Sequence, residues 1–318
     1  MAQKIIFDTD PGIDDAMALL FAQASDAIDL VGITTSYGNA SIEQTTRNAL
    51  YLKQRFGFDC PVHMGIGSPL NGVPEQAAYF VHGHDGLGDA GFDIPPLPGQ
   101  VGDAVEFIID TIDAHPGEIT LVAVARMTNL AVALTKAPRI AQKVKEVVIM
   151  GGAIGRHGWG GNVTPVAEAN IIGDPHAADI VMRGDWMVTM VGLDVTMQTI
   201  MMPHQVDELA KKAGDAGAFI SKIAPLYQSF YSSAYQLGGF AVHDSSALAY
   251  VIDPGLYTVE RGAMRVETEG IAYGQTIFAK EGRRYDAERW VSPPPKQVCV
   301  DVDAEAMLAL YMSTLIDG

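Results

Sequence analysis

Apolar positions along the chain fall into two rhythms. Short, nearly continuous apolar runs occupy residues 4–7, 30–35, 120–125, 147–150 and 188–193, the pattern of strands covered on both faces. Between them, residues 16–24, 44–56 and 130–135 repeat their apolar positions at helical spacing, and Gly57 ends the second of these stretches. Strand and helix in alternation predict an α/β fold with a mainly parallel sheet and helices on both faces. The Pro- and Gly-rich stretches at 61–74 and 93–102 read as long loops, and residues 298–302 as a strand added at an edge. No internal repeat or low-complexity linker interrupts the rhythm, so residues 1–318 are expected to form one domain.

Composition narrows the partners. Hydrophobic residues make up 48% and charged residues 19%, enough apolar surface for a large core. The formal net charge of −17 would repel a polyanion, which argues against nucleic acid and disfavours phosphorylated substrates. The N-terminus runs straight into a strand without a signal peptide, and no apolar run approaches the roughly 18 residues of a membrane span. Cys60 and Cys299 are too few for a disulfide framework and suit a reducing compartment, so a cytoplasmic protein is expected, bound to no membrane.

The chemistry is concentrated in Asp8-Thr9-Asp10-Pro11-Gly12-Ile13-Asp14-Asp15, directly after the first strand. In a parallel sheet that is the C-terminal strand edge, where ligands bind. Pro11-Gly12 forces a turn, and Asp14 and Asp15 open the next helix, where the helix dipole favours acidic residues. Helix capping does not account for Asp8 and Asp10 as well. Four carboxylates this close raise one another's pKa unless a cation lies among them, and oxygen-only ligands suit a hard ion, Ca²⁺ or Mg²⁺. A strand ending in Asp-x-Asp also begins many Mg²⁺ phosphohydrolases, with the first Asp as nucleophile; the separate Lys and later acidic motif of that chemistry are not found convincingly.

The whole octet resembles the N-terminal signature of the inosine–uridine-preferring nucleoside hydrolase family, and the resemblance continues. It takes in Gly38-Asn39, Thr128-Asn129, Met150-Gly151-Gly152, Gly161-Asn162, Glu168-Ala169-Asn170, Asp174-Pro175, the 192–196 run Gly-Leu-Asp-Val-Thr, and His243-Asp244. It implies a Rossmann-like open sheet, the nucleoside hydrolase fold. It also implies hydrolysis of the N-glycosidic bond of free ribonucleosides, a Ca²⁺ cofactor and a homodimer or homotetramer.

Carried over residue by residue, the resemblance makes Asp10, Asp15, Asp244 and the main-chain carbonyl of Val124 the Ca²⁺ ligands, with Asp8 supporting them. Asp10 would also be the general base on a calcium-bound water, and Asn39 would orient the water or the sugar. Asp14 would bind a ribose hydroxyl, Asn162 and Glu168 the 5′-hydroxyl, and Asn170 a ring hydroxyl, with Met150 beside them. His243, just before a metal ligand, is expected next to the leaving base as its acid. Tyr231 and Tyr235 form, with Tyr227, an aromatic approach to it, and His82 would lie on a mobile glycine-rich loop over the same pocket.

Three departures bear on specificity. Ala125-Arg126-Met127 stands where Gly-Pro-Leu is usual before Thr-Asn. The stretch between Met150 and Asn162 is longer than usual and brings Arg156, His157 and Trp159. Ala169 replaces an aromatic residue. They leave purine or pyrimidine preference open, and a sensing relative without turnover is the remaining alternative. Retention of Asp10, Asn39 and His243 argues against it.

Overall fold

The structure, a computed structural model, describes residues 2–72, 77–283, 285–287, 290 and 294–318. Residues 73 and 74 of the stretch read as a loop lie outside the described residues. The strands are β1 (Gln3–Thr9), β2 (Ile28–Thr35), β3 (Val62–Met64), β4 (Gly102–Asp103), β5 (Ile119–Ala123) and β6 (Glu146–Met150), followed by β7 (Val188–Val191), β8 (Ile200–Met201), β9 (Phe240–Ala241), β10 (Tyr257–Val266), β11 (Thr276–Lys280) and β12 (Lys296–Val302). Ten form one sheet in the order β11-β10-β12-β7-β6-β5-β1-β2-β3-β4, while β8 and β9 pair separately. Every pairing from β12 to β4 is parallel; β10 runs antiparallel to both β12 and β11.

The strand alternation explains the two apolar layers. In β1, Ile5 and Phe7 face one side and Ile6 the other, all fully buried; Val122 and Leu121 divide likewise in β5, and Val148 and Val147 in β6. Helices Ile13–Ala24, Gly214–Tyr235, His243–Ile252 and Ala304–Asp317 cover the first face. Helices Ala104–Ala114, Thr128–Lys136 and Pro175–Arg183 cover the second. The mainly parallel α/β sheet of the sequence reading is therefore present.

Several boundaries differ from it. The 188–193 run leaves the sheet at Val191, because Leu193 already starts the turn Leu193–Thr196. The loops at 61–74 and 93–102 contain β3 and end in β4. The strand expected at an edge, β12, lies inside the sheet between β7 and β10. Its Val298 and Cys299 are fully buried, and the β10–β11 hairpin covers its outer side.

Leaving β1, the chain winds outward through β2, β3 and β4 and then returns to β5 on the other side of β1. The crevice at the C-terminal ends of β1 and β5 is thus the point where the winding reverses, the place such sheets bind ligands.

Candidate active site

At that crevice the turn after β1 drops Asp10 below the surface, and helix Ile13–Ala24 starts beneath it with Asp14 and Asp15 in its first turn. Helix His243–Ile252 also points its N-terminus here, so His243 and Asp244 enter at its first two positions. One ligand oxygen from each of Asp14, Asp15 and Asp244 lies within 4.8 Å of the other two, and all three residues are buried. This triad contains Asp14, which the sequence reading assigned to ribose.

Asp15 is held at both oxygens, and Asp8, Asp10 and Asp14 at one each. Asp15 takes N–H groups from Asp10 and Gly12 at 3.1 and 3.0 Å, the Thr9 hydroxyl at 2.5 Å and the Asn39 amide at 2.8 Å. Asp14 Oδ2 accepts from the Tyr227 hydroxyl at 2.9 Å. Asp8 Oδ1 is held by Thr34 at 2.6 Å and Asn129 at 2.8 Å. Asp10 Oδ2 accepts from the Asn39 backbone N–H at 2.7 Å and from Arg126 Nη1 at 3.2 Å. The other oxygens of Asp8, Asp10 and Asp14 are buried without a hydrogen-bond partner among the described residues.

Burial first, and mutual repulsion after it, pushes Asp10 and Asp244 well above the ordinary carboxylate range and raises Asp15 too, while burial raises Asp14. Asp8 rises to about 7, again through burial. Buried carboxylate oxygens without a partner are costly as anions unless they take a proton or a cation joins them. The donor set, carboxylates only, fits a hard divalent ion.

Around this floor is a cavity of about 440 Å³. Its lining contains the expected Asp14, Asn39, His82, Val124, Met150, Asn162, Glu168, Asn170, Tyr231, Tyr235, His243 and Asp244. Some are tied more tightly than the sequence suggested. The Val124 carbonyl accepts from Asn170 Nδ2 at 2.9 Å, and the Met150 carbonyl accepts from the same amide at 3.1 Å. Glu168 caps the turn Ala169–Gly173, taking the N–H groups of Gly152, Asn170 and Ile171 at 2.9–3.2 Å. Asn162 accepts from the Ala169 N–H. Asn39 grips Asp10 and Asp15, orienting carboxylates.

The histidines are correspondingly fixed. His82, expected on a mobile loop, instead ends the short helix Tyr79–His82 and is buried, with Nδ1 accepting from the Ile13 N–H at 3.2 Å. His243 is held at both ring nitrogens: Nδ1 lies 2.7 Å from Thr196 Oγ1 and Nε2 2.5 Å from the Tyr231 hydroxyl. Burial lowers His82 to about 4 and His243 to about 3, so both rings are neutral at pH 7.

The opposite wall carries the expected tyrosines together with Phe80, Phe230 and Ala234, which were missed from sequence. Tyr227, Phe230, Tyr231, Ala234 and Tyr235 all lie on helix Gly214–Tyr235 and line the cavity, with Phe80 facing Phe230 at a ring distance of 5.8 Å. The tyrosine spacing of four was the available signal for a helical face. Trp159 stands edge-on to Tyr235 at 6.0 Å. The loop carrying it is anchored by Asp194, which accepts the Ile154 and Arg156 N–H groups at 2.9 and 2.5 Å. The other missed residue is Arg126, buried in the lining against Asp10.

A buried carboxylate floor that could hold a metal ion, under an aromatic wall at the crevice of an α/β sheet, describes a ligand pocket of the α/β class. Residues 5–309 match the inosine–uridine-preferring nucleoside hydrolase family, and the chain belongs to that family. It is 38% identical over 316 residues to uridine nucleosidase 1 of Arabidopsis thaliana, covering 99% of this chain and 93% of the relative. It is 40% identical over 328 residues to the inosine–uridine preferring nucleoside hydrolase of Leishmania major, covering 99% and 98%. Among solved structures, a plant nucleoside hydrolase superposes with a TM-score of 0.95 at 36% identity, with 100% of both chains covered. A purine-preferring ribonucleoside hydrolase from Gardnerella vaginalis gives 0.89 at 35%, covering 99% and 98%.

Proposed function

We propose that this enzyme hydrolyses the N-glycosidic bond of free ribonucleosides to ribose and base, with Ca²⁺ as cofactor. The observation that carries this reading is the carboxylate cluster, whose unpartnered buried oxygens open beneath an aromatic wall. Asp10, Asp15, Asp244 and the Val124 carbonyl are the ligands we assign, and the place of Asp14 beside Asp15 and Asp244 adds a fourth carboxylate within reach. Bound there, Ca²⁺ would lower the pKa of a coordinated water and grip the 2′- and 3′-hydroxyls.

Breaking the bond leaves positive charge on the ribose ring. The carboxylates of Asp10, Asp14 and Glu168 supply negative charge on that side of the cavity. Asp10 Oδ1, free of other bonds, takes the proton from the attacking water. Asn162, Glu168 and Asn170 bind the remaining sugar oxygens. The base leaves toward Tyr231, Tyr235 and His82. Because His243 is neutral and bonded to the Tyr231 hydroxyl, Tyr231 gives its own proton to the departing base and recovers one through solvent, balancing the proton that Asp10 takes from water.

Relatives of similar identity are named for uridine, for inosine and uridine, and for purine nucleosides, so base preference does not follow from kinship. The reading extends to one domain over residues 1–318 and to a cytoplasmic homodimer or homotetramer, in keeping with the buried free thiols. Among the described residues no helix is long and apolar enough to cross a membrane.

The test is release of free ribose from uridine and inosine by purified enzyme, before and after exhaustive chelation. Activity should vanish with chelator and return with Ca²⁺, and 2′-deoxyuridine should be turned over far more slowly than uridine. Full activity in chelator, or equal kcat/KM for the two sugars, would refute the assignment.

A further inference from the structure

The buried guanidinium at position 126 is the feature that the reaction scheme leaves unused. Arg126 follows β5 and enters the cavity beside Asp10, 116 residues away in sequence. It lies in a space made by missing side chains. A Cβ at Gly38 would collide with Nη1, and a Cβ at Gly173 with Nε and the adjoining methylenes. The guanidinium carbon lies 5.2 Å from the Tyr37 ring centre, and that ring is pinned by a hydrogen bond from its hydroxyl to the Gly173 carbonyl at 3.1 Å. Nη1 also reaches the Tyr37 carbonyl at 3.4 Å. Two glycines and an aromatic face therefore fix one planar cation.

Its effect falls on one atom. Asp10 Oδ2 receives both Arg126 Nη1 and the Asn39 N–H, which fills its two lone-pair directions; Oδ1 receives neither. Arginine makes this clamp well because its fork is rigid and permanently charged. We propose that Arg126 is a positioning residue for the reaction: by occupying Oδ2, it turns Oδ1 of Asp10 alone toward the attacking water. The inference rests on the hydrolase reading above and assigns Arg126 no contact with the substrate.

The experiment compares wild type with R126M, R126K, G173A and the R126M/G173A double variant. The readouts are kcat and KM on uridine and inosine, Ca²⁺ affinity of the metal-free protein by calorimetry, and rescue by added guanidinium ion. R126M is expected to lose about 10–100-fold in kcat, the scale of a misplaced reacting group, with KM and the Ca²⁺ Kd held within about threefold. R126K should fall between, since it keeps the charge but loses the fork. Guanidinium should restore part of the R126M loss, which a merely structural defect would not allow.

G173A pushes the guanidinium away without touching Asp10, so it should show the same kcat-selective loss. The double variant should be little worse than R126M, because both remove one interaction. The proposal is overturned if R126M keeps wild-type kcat, if its Ca²⁺ affinity collapses with activity and guanidinium restores nothing, or if the two losses simply add. A wild-type enzyme that releases no ribose would instead overturn the hydrolase reading and this proposal with it.

Discussion

At the residue scale, the site works by leaving particular atoms unsatisfied. Asp8, Asp10 and Asp14 each spend one oxygen on the protein and keep the other buried and unpartnered. His243 does the reverse, with both ring nitrogens engaged. In the proposed scheme the Tyr231 hydroxyl is the donor and His243 orients it, so Tyr231→Phe should copy His243→Ala. Both should lower kcat on natural nucleosides by about 10²–10⁴-fold, the range of acid catalysis, and hardly alter cleavage of p-nitrophenyl riboside, whose leaving group departs as a stable anion. Equal loss on both substrates would mean that the pair positions ribose or metal. Asp10→Ala should fall by more than either on every substrate, activated or not.

At the scale of elements, legibility depended on whether partners were close in sequence. The octet 8–15 showed its carboxylates together because one strand end and one helix start bring them together. Parallel strands sheltered on both sides, such as β5 and β6, announced themselves as continuous apolar runs. The β10–β11 hairpin did not, since it alternates buried and open positions and lies at the margin of the sheet. Missing it made β12 look terminal. Helix Gly214–Tyr235 carries Pro225 and several glycines and serines, which weaken a helical reading, yet its tyrosines lie on one buried face. The link from Arg126 to Asp10 has no local trace at all. A prediction belongs at this scale: Asp194 holds two loop N–H groups, so Asp194→Ala should cost about 1–3 kcal/mol in urea unfolding. Trypsin cleavage after Arg156 should also quicken. Unchanged stability and digestion would show that Arg156–Glu260 and the His157 contact to the Val300 carbonyl hold the loop unaided.

For the whole molecule, the raised carboxylates couple stability to acidity and to the ion. A folded-state pKa above the unfolded value of about 4 means that the metal-free protein binds more protons than the unfolded chain. That contribution is present at low pH and is lost as pH rises through the folded values, about 7 for Asp8. His82 and His243 act in the opposite sense, their stabilisation being lost as pH falls below about 6.5 toward 4 and 3. A single Tm against pH would mix the two, but the rise in Tm on adding Ca²⁺ isolates the carboxylates, because the ion requires them ionised. That rise should be clearly larger at pH 8 than at pH 5 by differential scanning fluorimetry. A rise that is flat or inverted with pH would place the ion elsewhere.

The division of the pocket between strand ends and a single long helix has an evolutionary corollary. Most of the groups assigned to metal and water, Asp10, Asp15, Asn39 and Val124, sit just after β1, β2 and β5, where the sheet's hydrogen bonds hold them and little drift is tolerable, with Asp244 entering from a helix start. The wall facing the departing base is mostly one helix, joined to the sheet through loops. Apart from Tyr227 and Tyr231, which hold Asp14 and His243, substitutions on that helix can therefore accumulate without disturbing the chemistry. One nucleobase can thus be traded for another while the carboxylates stand still, and a chimera exchanging residues 214–235 but keeping Tyr227 and Tyr231 is the graft that would move substrate choice.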